Sequence, residues 1–196
     1  GVALASRPGI SRAEDKQGVG PALISFRELG IAPDGDPEAN RRRLQTAIDD
    51  ATQNGGAIFV DPTDRPYPIA SGLTLRANVS LLGVHGPVGR GTRHPHDKRP
   101  VGSVLSIADD RNPFLRVESS TQVRGIQLWY PEQSLRDPAK VIAYPPTFQV
   151  APGKSVYGVT LSCLSLFGEY RAFDFACDAA HPSEQILIEH CYGYPL

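Results

Sequence analysis

Between residues 34 and 60 the apolar positions first recur at helical spacing and then run together. Leu44, Ala47, Ile48 and Ala51 share one helical face, with Asp49, Asp50 and Gln53 elsewhere. Asp36 suits the N-cap, Pro37 the first helical position, and Glu38 complements the positive helix end. Gly55 and Gly56 stop the helix, because glycine enters the left-handed conformation cheaply. "AIFV" (57–60) then reads as a buried strand, as does "ALISF" (22–26) ahead of the "APDGD" turn. The pattern predicts strand, turn, one amphipathic helix and strand.

No comparable helix pattern follows. Short apolar-x-apolar pairs replace it: Ile58/Val60, Val79/Leu81, Leu105/Ile107, Ile126/Leu128, Val159/Leu161 and Ile186/Ile188. Their first members lie 21, 26, 21, 33 and 27 residues apart. "VRGIQL" (123–128) and "VYGVTL" (156–161) share V-x-G-[IV]-x-L, and "VTLSCL" (159–164) matches "ILIEHC" (186–191) at apolar positions. A period in the twenties to low thirties without intervening helices fits the coils of a parallel β-helix. A β-sandwich also spaces short strands by turns and is the competing reading. A solenoid explains the lone helix. Its first coil exposes apolar surface and strand edges, and a helix carrying Leu44, Ile48 and Ala51 can lie over that end as a lid.

The chain has 196 residues, 40% hydrophobic and 21% charged, with 19 Gly and 18 Pro that argue for frequent turns. A net charge of -1 gives no field to attract nucleic acid or an anionic membrane. No apolar run approaches the roughly 20 residues of a membrane helix. The sequence contains no Met, so the chain reads as processed or as a piece of something longer. Ala3-Leu4-Ala5 resembles the end of a secretory signal, and an arbitrary start fits equally well. Residues 1–20 read as a flexible lead-in, and 21–196 as one β-helical unit. Cys163, Cys177 and Cys191 form neither a disulfide framework nor a metal motif and read as small buried hydrophobes.

Residues 24–84 resemble the N-terminal region of the pectate-lyase-like superfamily. The matching marks are Asp34-Gly35-Asp36, Gly55-Gly56, Asp61-Pro62, Tyr67, Leu73/Leu75 and Asn78-Val79-Ser80-Leu81-Leu82-Gly83. "GIQLWYPEQ" (125–133), "AYPPTFQV" (143–150) and "CYGYPL" (191–196) are similar to an uncharacterised bacterial group within it. The resemblance implies an all-β, right-handed, single-stranded parallel β-helix with one N-terminal capping α-helix. It also implies that residues 21–196 are the cap and first coils of a β-helix domain that continues beyond the chain, with much of any catalytic machinery on later coils. It further implies a secreted, extracellular or periplasmic protein that cleaves a polysaccharide, as a hydrolase or a lyase. The alternative is a non-catalytic glycan-binding or structural scaffold, such as an adhesin or a spike. No cofactor is implied, except calcium in the lyase case. The oligomeric state stays open, with trimers known among spike-like relatives.

Hydrolysis would need carboxylates from neighbouring coils, one donating a proton and one activating water. The candidates are Glu132, Glu169 and Asp174, although Glu132 and Glu169 fall at different offsets from their strands. As solvated turn residues they would have no such role. Trp129, Tyr130 and Tyr170 are candidate sugar-stacking residues, with Gln127 and Trp129 expected to face outward by strand alternation. The polar stretch 83–102 contains His85, His94, His96 and Asp97, and reads as a surface loop rather than a metal site. Its Arg93 and Arg99 would suit a basic flap over an acidic sugar. Arg41-Arg42-Arg43 reads as a solvated helix face, and Asp34-Gly35-Asp36 as a turn with a cap rather than a calcium loop.

Overall fold

The computed structural model describes residues 22–86, 102–109, 111–134, 136–176 and 179–194. The predicted lead-in, Cys177, and the stretch holding Arg93, His94, His96, Asp97 and Arg99 lie outside them. Strand β1 (Ala22–Ser25) precedes helix α1 (Pro37–Ala51). The chain then winds through β2 (Gly56–Val60), β3 (Tyr67–Ile69) and β4 (Leu73–Leu75). The second coil is β5 (Val79–Gly83), β6 (Ser103–Ile107) and β7 (Leu115–Val117). The third is β8 (Gln122–Arg124), β9 (Ile126–Trp129) and β10 (Phe148–Val150). Then come β11 (Val156–Ser162), β12 (Ser165–Phe167), β13 (Phe173–Asp174), β14 (Ser183–Glu189) and β15 (Tyr192–Tyr194).

Each coil gives one strand to each of three sheets. The first sheet has the order β1-β2-β5-β8-β11-β14, the second β3-β6-β9-β12-β15, and the third β4-β7-β10-β13. All strand pairings among the described residues are parallel. Like residues therefore stack rung on rung, about 4.8 Å apart. Ile58, Leu81, Val123, Leu161 and Ile188 form one such row, and Leu73, Leu115, Phe148 and Phe173 another. The rings of Phe148 and Phe173 stack at 5.7 Å. A parallel β-helix is thus the architecture, with its core inside the three-sided tube. Each fully buried Leu, Ile or Phe contributes roughly 1.5–3 kcal/mol of burial.

The apolar ladder read from sequence mixed two sheets. Above Leu81 stands Val123, whereas Leu105 pairs with Leu128 in the second sheet. The residues inserted between β5 and β6 lengthen that coil, so equal apolar pairs recur in sequence without sharing a sheet. "VRGIQL" and "VYGVTL" also differ in register. Gly125 (φ 74°) turns the corner from β8 to β9, while Gly158 (φ 68°) lies within β11. The third match holds, since Val159 pairs with Ile186 and Leu161 with Ile188.

The helix lies across β3 and β4, the first edges of the second and third sheets. Asp36 Oδ2 accepts the Ala39 amide proton at 2.7 Å and starts it. Leu44 and Ile48 are completely buried against the first coil. Polar helix side chains also meet the open strand edges. Gln45 accepts from the Thr74 amide at 2.8 Å and donates to its carbonyl at 3.1 Å, completing a strand's two bonds with one side-chain amide. Asn40 Nδ2 donates to the Pro68 and Ala32 carbonyls. Gly35 packs so closely on Asn40 that a Cβ there would come within 2.7 Å of its Oδ1. Strand β1 covers the remaining edge by pairing with β2.

Candidate functional site

The corner between the second and third sheets carries a cleft of about 440 Å³, lined by Ile107, Ala108, Asp109, Arg111, Glu132, Ile142 and Tyr144. Its acidic residues are placed by register. Ser106 pairs with Trp129, so Asp109 and Glu132 each lie three residues past the same rung on successive coils. Trp129 in turn pairs with Phe167, which brings Tyr170 to that position on the fourth coil. Asp109 Oδ1 accepts from the Arg111 backbone amide and from its Nε, both at 3.0 Å. Burial alone would raise the Asp109 carboxyl. The two Arg111 bonds, the Arg111 charge and a bond from Asn112 together outweigh it and hold the group below the usual carboxylate range. Ser71 Oγ donates to the Asp109 carbonyl, fixing the turn from the coil below.

The wall behind the cleft is aromatic. Tyr144 lies 4.7 Å from Tyr130, ring centre to ring centre. The Tyr130 hydroxyl pairs with Thr147 Oγ1 at 2.7 Å inside the protein. Gln133 spans the loop, donating to the Ile142 carbonyl and accepting from the Ile142 amide, both at 2.8 Å. These bonds fix the long connection from β9 to β10 and so fix Tyr144.

The predicted residues are dispersed. Glu132 is exposed and lines the cleft. Glu169 is only 1% exposed, and its Oε2 has no hydrogen-bond partner among the described residues. A Cβ on Gly193 would come within 2.7 Å of its Oε1, so the strand above seals it in. Burial pushes this carboxyl up to about 7. Asp174 lies on the outer face of the third sheet, 3.4 Å from Arg171. The three carboxylates therefore do not converge.

Among the aromatics, Tyr170 is exposed and Trp129 half-buried. Trp129 and Gln127 both flank the inward Leu128, as alternation predicts, yet Gln127 is buried. Tyr130 is a correction. At 3% exposure it belongs to the core and cannot offer a ring face to a sugar. Cys163 and Cys191 are free thiols, half-buried rather than buried, at a corner where Cys163 and His190 take positive φ. His85 sits on the second sheet with Nε2 3.0 Å from Ser165 Oγ, and its ring stacks on Tyr192. Burial keeps its pKa below the ordinary histidine value. Among the described residues no group of three metal-ligating side chains converges.

Sequence reading passed over Asp109, Arg111 and Tyr144. The signal lay in the offset between β6 and β9. Pairing Leu105 with Leu128, instead of with Ile126, equates Asp109 with Glu132 directly.

No family model matches the chain, and no curated protein does. Among solved structures it is similar to a presumed glycosyl hydrolase from Parabacteroides merdae, at 14% identity and a TM-score of 0.56. That match covers 88% of this chain and 75% of the other. It is also similar to the A-module of the mannuronan C-5 epimerase of Azotobacter vinelandii, at 17% identity and a TM-score of 0.57. There it covers 86% of this chain but only 43% of the other. At such identities the likeness is one of fold.

Proposed function

We propose that this chain is part of a carbohydrate-active β-helix protein acting outside the cytoplasm, and that it holds a polysaccharide in the Asp109–Glu132 cleft. The observation that carries this reading is the register match of two acidic residues on successive coils at the lip of one cleft. Ile142 supplies apolar surface for a sugar ring, and the buried Tyr144 backs that wall from the core. The names of both structural neighbours refer to carbohydrate enzymes.

Hydrolysis is the favoured reaction. Arg111 keeps Asp109 ionised, ready to activate water or to stabilise positive charge developing on the sugar. Glu132, exposed on the next coil, is the second carboxyl group. A lyase would need a free basic side chain beside the uronate. Arg111, the basic residue in the cleft, is bonded to Asp109.

One observation favours binding without cleavage. The carboxyl that burial raises to about 7 is Glu169, and Glu169 does not line the cleft as a proton donor.

Incubation with plant, algal and bacterial polysaccharides separates the cases. New reducing ends lost in Asp109→Asn and Glu132→Gln support hydrolysis in this cleft. Unsaturated uronate products indicate elimination instead. Binding without products supports the scaffold, and neither binding nor products removes the carbohydrate reading.

A further inference from the structure

The outer face of the third sheet carries a row that the cleft does not use. Leu115 and Val117 point into the core, so Arg116 between them points outward. In register, Arg116 stands above Thr74 of β4 and below Gln149 of β10. Hydroxyl, guanidinium and amide thus occupy three successive rungs, about 4.8 Å apart. All three can donate hydrogen bonds, and the guanidinium is charged at every accessible pH.

None of these side chains makes a hydrogen bond or ion pair among the described residues. Arg116 Nε is covered from solvent yet has no hydrogen-bond partner. Thr74 meets Gln45 only through its backbone. The charges around the row are already matched. Arg76 and Lys154 both bind Glu118, Arg76 also binds Asp49, and Arg171 binds Asp174 one rung above Gln149. Among the described residues Arg116 is therefore the unbalanced charge of this face.

We infer that Thr74, Arg116 and Gln149 form a binding site for an oxyanion, either a carboxylate or a sulfate ester borne on a larger ligand. The planar guanidinium takes two oxygens of the anion, and Thr74 and Gln149 donate from the rungs on either side. This site lies on a sheet face, apart from the corner cleft, and the inference does not rest on the cleft reading.

The test is titration of the purified chain with sodium sulfate and with trigalacturonic acid, against sodium chloride at matched ionic strength. Maltotriose serves as the neutral control. Melting temperature and calorimetric binding are the readouts. Wild type is expected to show saturable binding of at least one anion and none of maltotriose. Arg116→Gln should weaken that binding about tenfold or more, and Gln149→Ala by roughly threefold. Arg124→Gln, an exposed arginine of the first sheet, should bind as wild type does. Asp109→Asn/Glu132→Gln should also retain the anion, which separates this site from the cleft. Sulfate alone saturating points to a sulfate ester, and trigalacturonate alone to a carboxylate. Saturation by neither anion, or equal affinity in the folded Arg116→Gln protein, overturns the site.

Discussion

The first coil and the last described coil are built from the same rungs but are covered differently. At the first coil, Ile58 is 1% exposed, with β1 outside it and helix α1 across the neighbouring edges. Four rungs up the same row, Ile188 is 40% exposed, and Leu187 and Tyr192 beside it are 48% and 47% exposed. The residue type and its place in the row are unchanged, so the difference lies in the next layer. A residue pointing into the tube is half-buried by its own coil, and the neighbouring layer completes the burial. At the first coil that layer is β1 on the first sheet and the helix on the other two; the helix meets the strand edges mainly through side chains, with the Pro37 carbonyl also accepting from the Ala70 amide. This is why Asn40 and Gln45 face the core alongside Leu44 and Ile48.

The harshest way to break this contrast is to make the lid polar. Leu44→Asp with Ile48→Asp should abolish cooperative folding, since two unpaired charges would be forced onto an apolar layer. Loss of the melting transition and of soluble yield would show it, and an unchanged melting curve would refute the lid.

A matched pair sharpens the contrast. Ile58→Ala should cost about 2–5 kcal/mol, and Ile188→Ala under about 1 kcal/mol. Denaturant unfolding measures both, and equal costs would mean that the far end is as closely packed as the first.

Glu169, beneath the last coil, gives a prediction of opposite sign. Its folded pKa of about 7 lies above the ordinary carboxyl value. Between those two values the unfolded chain releases the proton first, so stability falls as pH rises. Glu169→Gln should flatten that fall and raise stability at pH 8 by about 2 kcal/mol, while changing little at pH 4. Melting curves at the two pH values decide it.

The smallest effect concerns the side-chain edge mimic. Gln45→Ala should cost about 1 kcal/mol, because the Thr74 amide and carbonyl lose their partner at a site open to water.

Much of the fold was legible in the sequence because a β-helix repeats its requirements. The cap signals at Asp36 and Pro37 and the apolar face of α1 each have a local cause, and local causes can be read in one dimension; the expected glycine stop differs, since α1 closes at Ala51 with Thr52 as its C-cap and Gly56 already belongs to β2. The assignment of strands to sheets was not legible in the same way. Apolar-x-apolar pairs look alike in all three sheets, and only register distinguishes Leu105 from Val123 as the neighbour of Leu81. The site inherited that ambiguity. Asp109 became a partner of Glu132 only when the second sheet was aligned correctly. Glu169 looked like a turn carboxylate because the glycine that seals it, Gly193, comes from the next coil. Asn40 carried no sequence signal, since its partners Ala32 and Pro68 are distant along the chain and lie on either side of the helix.

The corner segments leave a last consequence. From Ile58 to Leu81 the chain uses 23 residues, and from Leu81 to Val123 it uses 42, yet both steps advance the stack by a single rung. Length can therefore be added or removed where the chain turns without disturbing any layer above. One residue gained inside a strand would instead reverse every side chain after it. Such a protein can acquire new surface chemistry by growing sideways at its corners, while its backbone scaffold keeps an unaltered pitch.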